Sequence, residues 1–272
     1  MSDCNQDFAR VIAARREQID IAHAALVYAR EAYPDLDVDS YLRRLDEMAD
    51  AVRPRLNQRH PISAFRDFLF GELGFRGNQE DYFDPRNSFL NQVMDRRMGI
   101  PITLSVIYLE LARRLELPVV GIGLPGHFIV RYDGDQEPIY IDPFNGGVTM
   151  NLEDCRQRVT EISNGRLPFK ASFLEPLTAR QVLTRMLRNL KGVYVARGEF
   201  DAAISVIEKM ILLNPSVTEE IRDLGVLYYY AGRKLKAIGC LERYVELSPK
   251  AEDIDTVQHN LRVIIEKVAR WN

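Results

Sequence analysis

His127, in Pro125-Gly-His-Phe128, and Asp142, at the head of Asp142-Pro-Phe-Asn-Gly-Gly147, are of the right types for base-assisted chemistry. A carboxylate that accepts from one imidazole nitrogen fixes the tautomer and leaves the other nitrogen to take a proton from a nucleophile. Upstream lies Gly99-Ile-Pro-Ile-Thr-Leu-Ser105. A helix starting there would offer unpaired amides and a favourable dipole to a nucleophile at its first turn. The order helix, strand with His, strand with Asp is the frame of a cysteine-type triad, yet this segment holds no cysteine. Thr103 is the nearest hydroxyl and Ser105 the next. A hydroxyl needs an adjacent base at every turnover, and the methyl group of Thr restricts its approach. Asn91 and Gln92 carry amides suited to an oxyanion, although the polarity of a surface helix accounts for both.

Positioning these groups requires particular elements. Phe89, Leu90, Val93 and Met94 form one stripe on a helix expected over 87–97, with Gly99 placed to end it. Pro101 suits the first turn of the next helix. Ile100, Leu104, Ile107, Leu111 and Leu115, with Tyr108 beside them, make that helix strongly apolar and central. Residues 118–123, 127–132 and 138–142 read as strands, with a hairpin turn at Asp133-Gly-Asp135. If the last two strands pair, His127 and Asp142 fall at the same end of the sheet. Before this core, helices are expected over 8–32 and 37–56, and a third after His60 with Ser63 as its N-cap. Residues 71–85 read as a loop pinned by Phe75, Tyr82 and Phe83. His23 and His60 read as ordinary surface or core histidines. A helix over 151–161 follows the core, and 164–176 reads as a linker.

Beyond the linker the chain repeats. Residues 184–217 and 218–251 align without a gap at a period of 34, with ten identities. Leu190/Leu224, Tyr194/Tyr228, Gly198/Gly232, Ala203/Ala237 and Pro215/Pro249 are among them. Leu and Tyr pack the first helix of each unit, Gly permits the turn, Ala lets the helices approach and Pro ends the second helix. The spacing resembles the tetratricopeptide pattern, which serves either as a concave groove for a partner peptide or as a buttress. A helix over 255–270, with Val257, Leu261, Ile264, Ile265 and Val268 on one face, is placed to cap so short an array.

Composition narrows the function classes. The 36 basic and 39 acidic residues give a net charge of −3 and no field suited to nucleic acid. No apolar run approaches the roughly 18 residues that span a bilayer. The first residues lack a basic and an apolar region, which argues against a signal peptide. Cys4, Cys155 and Cys240 are odd in number, widely separated and without metal-ligand spacing, so neither a metal nor a disulfide framework is expected, and the reducing cytoplasm is the expected compartment. Gly121-Ile-Gly-Leu-Pro-Gly126 matches the dinucleotide fingerprint literally but opens a strand rather than a helix, so no nucleotide cofactor is expected.

The core resembles the transglutaminase-like superfamily, in which a Cys opens the central helix and His and Asp follow on two strands. Leu90-Asn-Gln-Val93, Arg97-Met-Gly-Ile-Pro-Ile-Thr-Leu104, Pro125-Gly-His-Phe128 and Asp142-Pro-Phe-Asn-Gly-Gly147 are more closely similar to the bacterial SirB-type family, a transglutaminase-like core followed by tetratricopeptide units. The resemblance covers about residues 35–250. By comparison with the superfamily the Cys would stand near Pro101–Thr103, where this chain has none. The expected fold is α+β: a helical N-terminal region on a papain-like/transglutaminase-like core with a small antiparallel sheet over 1–165, then an α-helical solenoid over 177–272. The expected function is a protein-binding or regulatory module without turnover, acting through its cleft and repeat groove on a protein or peptide partner. The alternative is a hydrolase or acyltransferase with Thr103 or Ser105 as nucleophile, His127 as base, Asp142 as its orienter and Asn91 as an oxyanion donor.

Overall fold

The computed structural model describes residues 3–13 and 19–269. The chain divides into two compact units, Met1–Met186 and Leu187–Asn272. The division falls inside a helix, ten residues after the solenoid's expected start at 177.

The first unit is organised around a helix with almost no solvent face. Helices α1 (Asp3–Ala13), α2 (Ile21–Ala29) and α3 (Val38–Val52) precede it. The single helix expected over 8–32 is thus two, and its residues 14–18 lie outside the described ones. Asp20 starts α2 by accepting from the His23 amide at 2.8 Å, a standard N-cap. At α4 (Pro61–Phe65) the cap is His60, whose ring accepts from the Ile62 amide, and Ser63 lies inside the helix. Pro61 at the first helical position puts the cap one residue before the proline. A π-helical turn over 66–72 continues α4.

Helix α5 (Leu90–Arg96) ends at Arg97, which takes the left-handed conformation at φ 53°. Gly99 therefore does not end it. Instead β1 (Arg76–Gly77) pairs in parallel with β2 (Met98–Gly99). A Cβ at Gly99 would lie 2.7 Å from Thr103 Oγ1 and 2.9 Å from Val93. Glycine is needed there for close approach rather than for its turn.

Helix α6 (Pro101–Arg114) is buried at every residue from Pro101 to Tyr108. Its buried Glu110 accepts from the Ala22 amide and pairs with Arg113 and Arg114, which in turn reach Asp20 and Asp46. A buried carboxylate is tolerated only when so compensated. These bonds tie α2 and α3 to α6.

Four antiparallel strands follow in simple order: β3 (Val119–Ile122), β4 (Ile129–Tyr132), β5 (Ile139–Asp142) and β6 (Val148–Met150). The last was not anticipated, because three residues are too few to show alternation. Ile122, Ile129, Tyr140 and Met150 form one cluster with Cys155 and Val159 of α7 (Leu152–Ser163). Successive residues alternate faces, so buried Val130 and Ile141 point the other way.

The second unit holds the rest of α8 (Ala179–Ala196) with α9 (Phe200–Leu213), α10 (Glu219–Tyr230), α11 (Lys234–Leu247) and α12 (Ile254–Ala269). Residue 270, which closes the expected C-terminal helix, lies outside the described residues. Leu190, Tyr194, Leu224 and Tyr228 are buried, as are Ala203 and Ala237. Gly198 and Gly232 turn the chain at φ 71° and 75°, where other residues would be strained. Val257 and Ile264 of α12 pack on Leu241 and Tyr244 of α11. Among the described residues no helix is long and apolar enough to cross a membrane.

Gly99→Ala is expected to cost about 1–3 kcal/mol, the usual penalty for overpacking a filled interior. Urea denaturation checks it: the midpoint falls while the slope stays unchanged.

Candidate active site

The strand register alone brings two of the candidate residues together. Ile122 and Ile129 form the last paired residues of β3 and β4, and Ile141 lies opposite Val130. His127 therefore stands just beyond the ladder at the end where β5 delivers Asp142. The imidazole Nε2 lies 2.8 Å from Asp142 Oδ2.

Asp142 is the most heavily bonded group here. Its Oδ1 accepts from the amides of Phe144 and Asn145 at 3.1 and 3.3 Å. Its Oδ2 also accepts from Asn145 Nδ2 at 2.7 Å and lies 3.8 Å from the Arg158 guanidinium. Burial alone would raise its pKa. The His127 hydrogen bond and charge, then Asn145 and Arg158, outweigh that and hold the carboxyl below its ordinary 3.8. An ionised Asp142 only accepts, so His127 Nε2 bears a hydrogen whether the ring is neutral or charged, and in the neutral ring that fixes the Nε2–H tautomer. Asp142 is the imidazole's one hydrogen-bond partner among the described residues, which leaves Nδ1 unengaged. Phe144 meets the ring edge-on at 6.2 Å.

Two glycines shape the supporting loops. Gly126, at φ 70°, closes the turn before His127, and a Cβ there would sit 2.4 Å from Ile162 of α7. Gly147 closes the loop after Asp142 by donating to the Asp142 carbonyl. A Cβ on Gly147 would strike Phe70.

Thr103 is committed elsewhere. It is wholly buried, its hydroxyl lies 2.9 Å from the Asn87 carbonyl and 3.1 Å from the Ile100 carbonyl, and its oxygen accepts from the Ile100 amide. It fastens the start of α6 to the loop before α5. That loop is a polar knot: Asn87 accepts from Asn78 and Arg96 and donates to the Asp81 and Tyr82 carbonyls. Ser105, also wholly buried, points to the Phe128 carbonyl at 3.5 Å. Neither hydroxyl bonds the imidazole. Asn91 is buried in α5 with its Oδ1 unpartnered.

The three thiols stand on helices other than α6. Cys155 lies close enough to Asp142 to feel its charge, yet burial first, then Asp154 and Asp142, push its pKa to about 12. Roughly one part in 10⁵ is thiolate at neutral pH. Cys4 bonds the Val27 carbonyl from α1, and Cys240 lies in α11 of the second unit.

Sequence reasoning missed Asn145, Phe144, Arg158 and Arg185. Asn145 and Phe144 stand in the quoted loop, where the turn after Asp142 was a signal that they would fold back on it. Arg185 and Arg158 lie on helices with no local cue. Tyr82 stands 6.3 Å from Phe144 and 5.5 Å from the exposed Phe83, giving an aromatic strip from the surface to the imidazole. Burial raises the Tyr82 phenol, and Arg185 opposes that. Among the described residues no three His, Cys, Asp or Glu side chains converge as metal ligands.

Comparison with known proteins places this geometry in context. Residues 39–188 match the family model described as the transglutaminase-like superfamily, and 190–262 match a tetratricopeptide repeat. A UPF0162 protein of Xylella fastidiosa is 37% identical over 252 residues, covering 90% of each chain. One of Pseudomonas aeruginosa is 32% identical over 195 residues, 71% of each. The F-box only protein 21 of Mus musculus is 23% identical over 256 residues, 82% of this chain but 40% of that protein. Among solved structures, menin aligns over 95% of this chain at 11% identity with a TM-score of 0.38, too distant to carry an argument.

Two outcomes follow from the site's geometry. Asp142 has a depressed folded pKa, so its contribution is complete above about pH 5 and is lost as pH falls through the folded value. The stability gap between wild type and Asp142→Asn is expected to be about 2–3 kcal/mol at pH 6 and to shrink toward pH 3, read by urea denaturation. A gap that stayed flat would mean the carboxyl is not ionised in the fold. Thr103→Val strands the Ile100 amide and Asn87 carbonyl, and is expected to cost about 1–3 kcal/mol in the same assay.

Proposed function

Because the chain belongs to the UPF0162 family of transglutaminase-like proteins carrying tetratricopeptide repeats, we propose that it is a protein-binding module whose transglutaminase-like core no longer turns over substrate. The observation that carries this reading is the state of Thr103. Its hydroxyl is buried and bonded to backbone at the place where the superfamily's nucleophile would stand. The SirB-type assignment belongs to the same proposal. So does a cytoplasmic setting, which suits three cysteines that are odd in number and widely separated in the sequence.

Tetratricopeptide repeats generally mediate contacts between proteins, and the second unit offers a surface for one. A groove of about 390 Å³ lies between α10 and α12, with Val226 and Tyr230 exposed along it. In the first unit the Phe83–Tyr82–Phe144 strip leads to the His127 ring, whose Nδ1 is an acceptor in the neutral imidazole. Large aromatic area beside a single polar group suits capture of a peptide segment. Under this proposal His127 and Asp142 orient a ligand instead of activating a nucleophile.

Wild type and His127→Ala are expected to show equal, background rates of glutamine deamidation, amine transfer and ester hydrolysis. A fluorophosphonate is expected to leave Thr103 and Ser105 unlabelled by mass spectrometry. Labelling of either, abolished by His127→Ala, would sink the reading and support the Thr/Ser-His-Asp hydrolase. For the binding half, a photo-crosslinking phenylalanine analogue at position 83 is expected to capture a specific protein in cells, and Phe144→Ala to weaken that capture at least tenfold.

A further inference from the structure

The turn that carries His127 is held from outside its own sheet. Residues 123–128 lie between the paired ends of β3 and β4, so no ladder bond fixes them. Within the turn, the His127 amide donates to the Leu124 carbonyl at 3.1 Å. Arg185, on α8, adds a restraint on the backbone of the turn. Its Nη2 lies 2.9 Å from the Leu124 carbonyl and 2.8 Å from the His127 carbonyl, so both hydrogens of one nitrogen bridge the two ends of the turn. Bonds from a guanidinium are charge-assisted and stronger than neutral ones.

The surroundings are shaped for this side chain. Its guanidinium carbon lies 5.6 Å from the Phe128 ring centroid, within cation–π range. Gly123 leaves the room, for a Cβ there would sit 2.6 Å from Arg185 Nη1. The same guanidinium is within electrostatic reach of the Tyr82 phenol on the aromatic strip.

We infer that Arg185 is a positioning residue for His127: by bridging the Leu124 and His127 carbonyls it sets the depth of the imidazole against Asp142 and so favours the Nε2–H tautomer, which leaves Nδ1 as an acceptor. The consequence for recognition rests on the reading that Nδ1 faces the ligand, whereas the positioning itself does not. A lysine keeps the charge and a multiple donor on a shorter stem. A methionine keeps much of the stem and loses every donor.

The test uses the free full-length chain with labelled histidine and needs no ligand. Imidazole nitrogen and carbon shifts of His127 at pH 7 report the tautomer, and exchange of the Nε2 proton with water reports the bond to Asp142. Wild type is expected to show one tautomer. Arg185→Met is expected to show both, with proton exchange at least tenfold faster, and Arg185→Lys to recover most of the wild-type signature. Gly123→Ala, whose Cβ would crowd Arg185 Nη1 and Leu177 and so push on the guanidinium without removing it, is expected to shift the tautomer in the same direction and keeps the test open if Arg185→Met does not fold. A folded Arg185→Met or Gly123→Ala protein with the wild-type tautomer and exchange rate would overturn the inference. Failure to capture a partner at position 83 would overturn the binding proposal alone, because the imidazole readout is independent of it.

Discussion

A carboxylate with no solvent exposure must find its compensation within the protein, and at Asp142 that demand organises the first unit's functional end. The group accepts from two amides of its own loop, from Asn145, and from His127, with Arg158 nearby. Each donor constrains a different piece of chain. The loop amides impose the turn after β5, the imidazole brings in the turn before β4, and the guanidinium belongs to α7. Because a buried charge is costly when any partner is lost, these pieces are held as one arrangement. The tautomer of His127 is a consequence of it.

A second polar arrangement lies at the start of α6 and competes for the residue that the triad frame would use. Burying the first turn of a helix leaves amides that need acceptors. Thr103 meets that need at Ile100 and extends it to the carbonyl of Asn87, whose side-chain amide donates to the loop bearing Tyr82 and Phe83. A nucleophile at this position would have to give up such bonds. The imidazole is oriented by Asp142, while the hydroxyl at the helix start is committed to backbone bonds.

The second unit solves a different problem. Two repeats expose apolar faces that neither can cover by itself. Helix α12 covers the open side of α11 through Val257 and Ile264 while leaving a groove against α10. Arg222 pairs with Asp223 and Asp253, and Lys191 with Glu220 and Asp223, so charge is matched between α8 and α10 and between α10 and the residue before α12.

The central helix α6, the hairpin of β4 and β5 and the 34-residue repeat were legible in the sequence because each rests on local periodicity or on turn residues, whereas the break between α1 and α2 was not. Less local features were not. Ser63 looked like a cap until Pro61 placed the cap at His60, and Gly99 looked like a helix stop until Arg97 took the left-handed conformation. β1, β2 and β6 have too few residues to show a period. The sequence by itself determined the fold class, the repeat array and the presence of His127 and Asp142 at one end of a hairpin. Whether Thr103 faced them, and which residues from α7 and α8 closed around them, was decided only by the tertiary structure, because hydrogen-bond partners distant in sequence leave no mark on local patterning.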